Sequence, residues 1–304
     1  MSDRVKGILC IVTSAFGFAL MAYFVRLCDD FGASVNCFQK SLFRNLIALF
    51  IAAAVYFRAH HPSASPSASA SASASPSPSA PVHSPLALFL LLGRSFAGCL
   101  GIFGNFYALS RIPIGEAMTL NKTAPLFAVL FSWIFIKEKA SLRQVLFLAL
   151  AFVGVMLVMK PGFQGAATFA TLCALGGGLG AGIAYTCVRE LGLLKVEGSL
   201  IVLFFSAFST VASLVLLPLT GAGFAPMTAA QLLILVGAGC GAAVGQFGVT
   251  AAYRFAPPKQ IAVYDYTNVI FTSLFGYFAF GQVLDVWSVV GFLLIVLAGL
   301  RARG

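Results

Sequence analysis

The sequence predicts an all-α polytopic membrane protein: ten transmembrane helices arranged as two inverted five-helix repeats. Three observations predict it. The chain of 304 residues is 60% hydrophobic and 9% charged, with mean hydropathy +0.97, and a water-soluble domain carries far more charge than that. Its apolar residues fall into ten runs, each close to the roughly 20 residues that cross a hydrocarbon core about 30 Å thick. The second half also repeats part of the first at a shift of 144 residues.

In chain order the runs are 8–28, 37–57, 86–108, 113–136, 142–159, 166–188, 198–219, 231–253, 259–281 and 284–300. The first follows Arg4 and Lys6, as a leader peptide would. It is too long for a leader's apolar region, and nine more runs follow, so it reads as a retained helix. Between the second and third runs, residues 60–85 read HHPSASPSASASASASPSPSAPVHSP. That composition offers nothing to a packed core and predicts a disordered polar loop. All three histidines lie in or beside it, which argues against a metal or proton-relay role for them. Seven cysteines are scattered without a Cys-x-x-Cys pair and read as small apolar residues. Cys28 and Cys37 flank the first loop and could pair if that loop is external.

Lysine and arginine in the connections set the orientation. With the N-terminus in the cytoplasm, the inner connections hold Arg4, Lys6, Arg58, Lys137, Lys139, Arg143, Arg189, Lys195, Arg254, Lys259, Arg301 and Arg303. The outer ones hold Arg26, Arg111 and Lys160. Both termini are therefore expected in the cytoplasm. The net charge of +10 is then a topology signal rather than a nucleic-acid footprint, because no basic and aromatic stripe accompanies it.

The repeat superposes GIFGNFYALSRIPIGEAMTLNKTAPLFAVLF (101–131) on GQFGVTAAYRFAPPKQIAVYDYTNVIFTSLF (245–275), with nine identities that include Gly101/Gly245, Gly104/Gly248, Pro113/Pro257 and Thr123/Thr267. Five helices is an odd number, so the halves enter the membrane in opposite directions. Many secondary transporters are built so, with their sites near the midplane between the halves. The expected halves are 1–162 and 163–304.

The repeat sets the fourth helix against the ninth, Asn121 against Asp265 and Lys122 against Tyr266. On the ninth helix Asp265, Asn268, Thr272 and Gly276 share one face. Their counterparts are Asn121, Ala124, Ala128 and Ser132. Packing of small residues accounts for the lower part of both stripes. It does not account for Lys122, which lies about 13 Å into its helix, beyond the reach of a snorkelling stem. An unpaired charge there costs on the order of 3 kcal/mol or more. Pro125, three residues on, deprives the Asn121 carbonyl of its helical donor. Lysine and freed carbonyl together suggest a binding site, with a buried structural ion pair as the alternative. Asp265, between Tyr264 and Tyr266, has no bland account and is expected to pair with Lys122 across the repeat interface.

The remaining charges are less specific. Lys40 and Arg44 stand one turn apart near the outer end of the second helix, where a snorkelling or topological role suffices. Arg94 shares a face with Gly98, Gly101 and Asn105, and equally marks a cytoplasmic edge or a site. Glu116 opens the fourth helix, where the dipole favours an acid. Four bases against two acids would suit a substrate bearing a carboxylate or phosphate. Gly178 and Gly182, and Gly237, Gly241 and Gly245, read as close helix contacts.

The fourth helix with its proline, followed by LFAVLFSWIFIKEKASLRQVLFLALAFVGVML, resembles the EamA repeat of the drug/metabolite transporter superfamily. The acidic turn is Lys137-Glu138-Lys139, and the glycine of the short fifth helix is Gly154. YDYTNVIFTSLFGYFAFGQVLDVWSVVGFLLIVLAG resembles the same unit but carries Gln282 where family members usually have glutamate. The resemblance implies ten helices around a central cavity and movement of a small polar metabolite, an amino acid or related compound, most often outward. Uptake of a nucleotide-like or vitamin metabolite is the alternative it leaves.

Other classes fit less well. An enzyme would need a nucleophile, metal set or paired acids, and none appears. The asymmetric charge of the halves argues against a simple channel, and a non-transporting subunit has nothing specific in its favour. Without a Walker A loop, coupling to protons or to exchange remains. No cofactor is expected. The expected partners are a small-molecule substrate and membrane lipid, not nucleic acid, with a monomer or homodimer as the assembly. The site residues expected are Lys122, Asn121, Asp265, Tyr264, Tyr266, Asn268, Arg94 and Arg44.

Overall fold

The architecture is that of a computed structural model, which describes residues 1–33, 35–60, 84–109, 111–112, 114–161, 168–221 and 223–302. Of the polar loop expected over 60–85, residues 61–83 lie outside the described residues, as does the expected boundary of the halves at 162/163, while His60 and Pro85 belong to the flanking helices.

All regular secondary structure among the described residues is helical. It runs α1 (Asp3–Leu27), a 3-10 turn (Cys28–Phe31), α2 (Cys37–His60), α3 (Pro85–Leu109), α4 (Ile114–Asn121), α5 (Ala124–Ile136) and α6 (Leu142–Met159). The second half continues as α7 (Thr168–Leu193), α8 (Gly198–Leu219), α9 (Ala229–Phe255), α10 (Pro258–Asp265), α11 (Thr267–Phe280) and α12 (Val286–Arg301). Among the described residues eight helical segments are long and apolar enough to cross a membrane, and Val286–Arg301 is a shorter apolar helix. The predicted fourth and ninth helices are each broken in two, α4 with α5 and α10 with α11. The apolar runs alone predict both as continuous.

The bundle is packed for lipid. Trp133, Phe135, Leu146, Phe169, Leu233 and Phe278 are exposed, whereas Ser14, Ser41, Ser95, Ser206 and Ser213 are buried among alanines. Small and hydroxylated residues inside let helices approach where no hydrophobic drive exists between them. The glycines show this directly. A Cβ on Gly154 would stand 2.7 Å from the Gly291 carbonyl oxygen, and α6 and α12 therefore touch backbone to backbone.

The two halves use the same contacts. Gly104 on α3 faces Cys173 and Gly177 on α7, and Gly248 on α9 faces Cys10 and Ser14 on α1. The shift is 144 for the α3/α9 pair (248 − 104) and 163 for the α1/α7 pair (173 − 10). Gly101 and Gly180 approach each other as Gly245 and Gly17 do, at the same two shifts. The turns that end α5 and α11 also match. Lys137 and Gly281 both take φ 62°. The amides of Glu138 and Gln282 then donate to the carbonyls of Ser132 and Gly276. Glycine tolerates that left-handed backbone without penalty; Lys137 adopts it because the same turn is required.

One end of the bundle holds both termini, where Arg4 donates to the Ala302 carbonyl at 2.7 Å. At this end α7 and α8 close against α9, and α5 and α6 against α10. The repeat counterparts of these contacts would join α1 and α2 to α3, and α11 and α12 to α4. Among the described residues they are not comparably made. Among the described residues the bundle is therefore sealed at the end bearing the termini and parted at the other.

Candidate functional site

Lys122 lies in the break between α4 and α5, and Tyr266 lies in the break between α10 and α11. The same chemistry makes both breaks. The Thr123 hydroxyl donates to the Leu120 carbonyl at 2.6 Å, and the Thr267 hydroxyl donates to the Tyr264 carbonyl at 2.7 Å. Each hydroxyl satisfies a carbonyl at the helix end. Pro125, at the second position of α5, has no N–H and so needs no acceptor there. Irregular backbone at such depth persists only where protein or a watery cavity covers it.

Lys122 donates to Asn268 Oδ1 at 2.6 Å. Asn268 is itself fixed, since its Nδ2 donates to the Ala15 carbonyl at 2.8 Å. That clamp turns the amide oxygen toward Lys122. The expected direct ion pair with Asp265 is not made, although the two charges lie in each other's field. Asp265 is buried at the end of α10, and its carboxylate has no hydrogen bond or ion pair among the described residues. Tyr185, Tyr253 and Tyr266 lie within the field of its charge. The hydroxyls of Tyr253 and Tyr266 are buried without a partner among the described residues, and the Tyr185 and Tyr253 rings stack at 4.9 Å.

Two arginines complete the polar interior. Arg44 on α2 and Arg94 on α3 are 6% and 3% exposed, so neither is the edge residue that the sequence allowed. Arg94 donates to Gln246 Oε1 at 2.8 Å and lies 3.5 Å over the Phe205 ring. Tyr185 on α7 lies in the field of Asp265 and of both arginines.

The other expected residues fall elsewhere. Tyr264 donates to the Gly299 carbonyl at 2.7 Å and belongs to the α10–α12 contact, not to the interior site. The Asn121 amide lies against Gly177, at the α4–α7 contact. Lys40 pairs with Asp29 at 2.6 Å at the end away from the termini, as its position near the helix end allowed. Cys28 is a free, buried thiol, so the pairing with Cys37 is not formed; the Cys37 and Glu116 side chains lie outside the described residues. Sequence reasoning misses Tyr185, Tyr253 and Gln246. Each sits on a helix whose pattern shows only glycine-rich packing, where a polar residue gives no signal of its own. Arg189 does more than mark topology. Its Nη2 meets Glu138 Oε1 at 2.8 Å.

Comparison with known proteins agrees with this arrangement. The EamA-like transporter family matches residues 5–160. An uncharacterized transporter of Helicobacter pylori is 24% identical over 298 residues, 97% of this chain and 93% of that one. The pseudopaline exporter CntI of Pseudomonas aeruginosa is 29% identical over 211 residues, 69% of this chain and 72% of that one. A solved crystal structure superposes with TM-score 0.75 at 16% identity, covering 99% of this chain and 96% of the other, which establishes the fold alone. With the ten-helix repeat, the paired helix breaks and the family match in hand, the chain belongs to the EamA-like transporter family of the drug/metabolite transporter superfamily.

Proposed function

We propose that the protein is a secondary active transporter that exports a small polar metabolite bearing a carboxylate or phosphate, an amino acid or a related compound. The observation that carries this reading is Lys122. It is a half-buried cation in a helix break, bonded to a neutral amide while a buried carboxylate nearby stays unpaired. A structural ion pair would have closed on itself, because separate buried charges cost more than paired ones. Lys122 and Asp265 kept apart can each take a substrate group, the ammonium a carboxylate and the carboxylate an amine or a proton. Asn268, Tyr253 and Tyr266 supply neutral hydrogen-bonding groups around them. Arg44 and Arg94 raise the positive excess and favour an anionic substrate.

Both termini lie in the cytoplasm of a cell-membrane protein in this reading, and the parted end faces outward. The halves are 1–162 and 163–304. Similarity to an exporter supports the outward direction.

Single neutral variants test the site. Lys122→Met and Asp265→Asn should each abolish transport in vesicles while the protein still reaches the membrane. The double variant should stay inactive, since both substrate contacts are gone. Recovery of transport by the double variant would make the two charges structural. Near-normal transport by Lys122→Met alone would remove the site.

A further inference from the structure

Arg44 and Arg94 are buried cations without a counter-charge among the described residues. Both are almost fully buried, Arg44 on α2 and Arg94 on α3, two helices that both pack on α8, and each lies in the other's repulsive field. Among the described residues neither has an acidic partner, and the Nε of each is buried with no hydrogen-bond partner. Arg94 touches only the neutral Gln246 amide and the Phe205 face. Gly98, one turn along α3, leaves the space that its guanidinium fills; a Cβ there would stand 2.9 Å from Nη1. Buried polar groups are normally satisfied, and an unpaired cation in a bilayer interior is costly. Two together need an anion.

We propose that Arg44 and Arg94 form an anion subsite for a soluble group of two negative charges, a phosphate or sulfate moiety. A guanidinium fork matches such oxygens bidentately, and two forks match a doubly charged group better than a single carboxylate. The inference rests on the transport reading for its purpose but not for its test. It gives the substrate a second point of attachment, separate from Lys122.

The test is thermal stability of the full chain in phosphatidylcholine nanodiscs, titrated with inorganic phosphate, sulfate and chloride at equal ionic strength. Phosphate and sulfate should raise Tm saturably and chloride should not. Arg44→Met and Arg94→Met should weaken the effect at least tenfold, whereas Lys122→Met should keep it. If either arginine variant misfolds, Arg94→Lys, which keeps charge but not the fork, should still lower the affinity. A shift that is non-saturable, absent, or unchanged in the arginine variants overturns the proposal. So does stabilisation that appears only with phosphatidylglycerol in the disc, which would make the ligand a lipid headgroup. Phosphate binding without any transport would retain the subsite and sink the transport reading; transport without phosphate binding would do the reverse.

The one-sided closure carries a second inference. Arg189 on α7 is held by Glu138 at the end of α5, with Nε and Nη2 at 3.0 and 2.8 Å from Oε1. Its Nη1 reaches across to the carbonyls of Tyr253 and Arg254 at 3.4 and 3.3 Å, and so ties α7 to the end of α9. At the repeat shifts the counterparts are Arg26 (189 − 163), Gln282 (138 + 144) and the Leu109 carbonyl (253 − 144). Arg26 is exposed at the parted end, over the Phe280 ring at 5.4 Å. We infer that Arg26 is the latch of the opposite state, reaching the end of α3 when Arg189 lets go. Gln282 seats Arg26 without a charge, so that latch is the weaker and the sealed-at-the-termini state is the resting one.

Cysteines introduced at Ala22 (185 − 163) and Leu109, the counterparts of the stacked Tyr185 and Tyr253, should cross-link little in the parent protein. Cross-linking should rise several-fold on adding Gln282→Glu or Glu138→Gln, relative to single-cysteine controls. Equal cross-linking in all three, or a decrease with Gln282→Glu, overturns the inference.

Discussion

Thr123 and Thr267 stand in equivalent places in the two halves, and each turns its hydroxyl back on a carbonyl three residues earlier, at 2.6 and 2.7 Å. The breaks they stabilise hold Lys122 on one side and Tyr266 on the other, next to Asp265. A valine has nearly the same shape but no hydroxyl. Thr123→Val or Thr267→Val should therefore lower stability by about 1 kcal/mol, the worth of one buried hydrogen bond. Transport should fall with it, and serine should restore both. Thermal melts and vesicle transport of the two series check this. Unchanged transport in both valine variants would show that the breaks do not depend on the hydroxyls.

The matching glycines make a second prediction. A Cβ on Gly104 would stand 2.7 Å from the Cys173 carbonyl oxygen, and one on Gly248 would stand 2.9 Å from the Cys10 carbonyl oxygen. These are backbone atoms that cannot step aside. Gly104→Ala and Gly248→Ala should each destabilise by about 1–3 kcal/mol through forced separation of the helices. By contrast, Gly176→Ala meets nothing within 4 Å and should be neutral or mildly stabilising. Melting temperatures of the three variants in one detergent would separate these outcomes.

Much of this is legible in the sequence, because lipid forces a simple code. Ten apolar runs correspond to ten helical units among the described residues, and the shift of 144 residues corresponds to a shared set of contacts. Lys122 stands out because a charge in a bilayer has few alibis. Pro125 announces the break at Lys122, but no proline marks the one at Tyr266, although Thr123 and Thr267 align. A threonine inside an apolar run is ordinary, and only its hydrogen bond shows that the helix stops. The direct Lys122–Asp265 pair fails for a similar reason. Aligning two helices fixes depth but not rotation, and the Ala15 carbonyl, which turns Asn268 toward the lysine, lies in a helix that the alignment does not include. Tyr264 resembles a site residue by adjacency. One step along a helix turns a side chain by about 100°, and that sends it to Gly299.

The link between the fifth and tenth membrane helices gives a pH prediction. The carboxyl of Asp285 is held down at about 2, first by the bond from the Lys160 ammonium and then by Ser288. Its folded value is depressed, so its contribution is complete above the ordinary value near 4 and is lost only as pH falls through about 2. The Lys160–Asp285 link at 2.5 Å is thus constant across any usable assay range. Transport by Asp285→Asn should follow the parent's pH profile between pH 5 and 8 (roughly the range vesicles tolerate). A profile displaced by this variant would mean that the link moves during transport.

The most direct test of the central claim is a metabolite-wide efflux comparison. Vesicles or cells carrying the parent protein would be set against those carrying Lys122→Met at equal membrane abundance. The account predicts that one or a few small anionic metabolites leave faster with the parent protein and that Lys122→Met removes the difference. No metabolite distinguishing the two, or a cationic or uncharged one doing so, would contradict it.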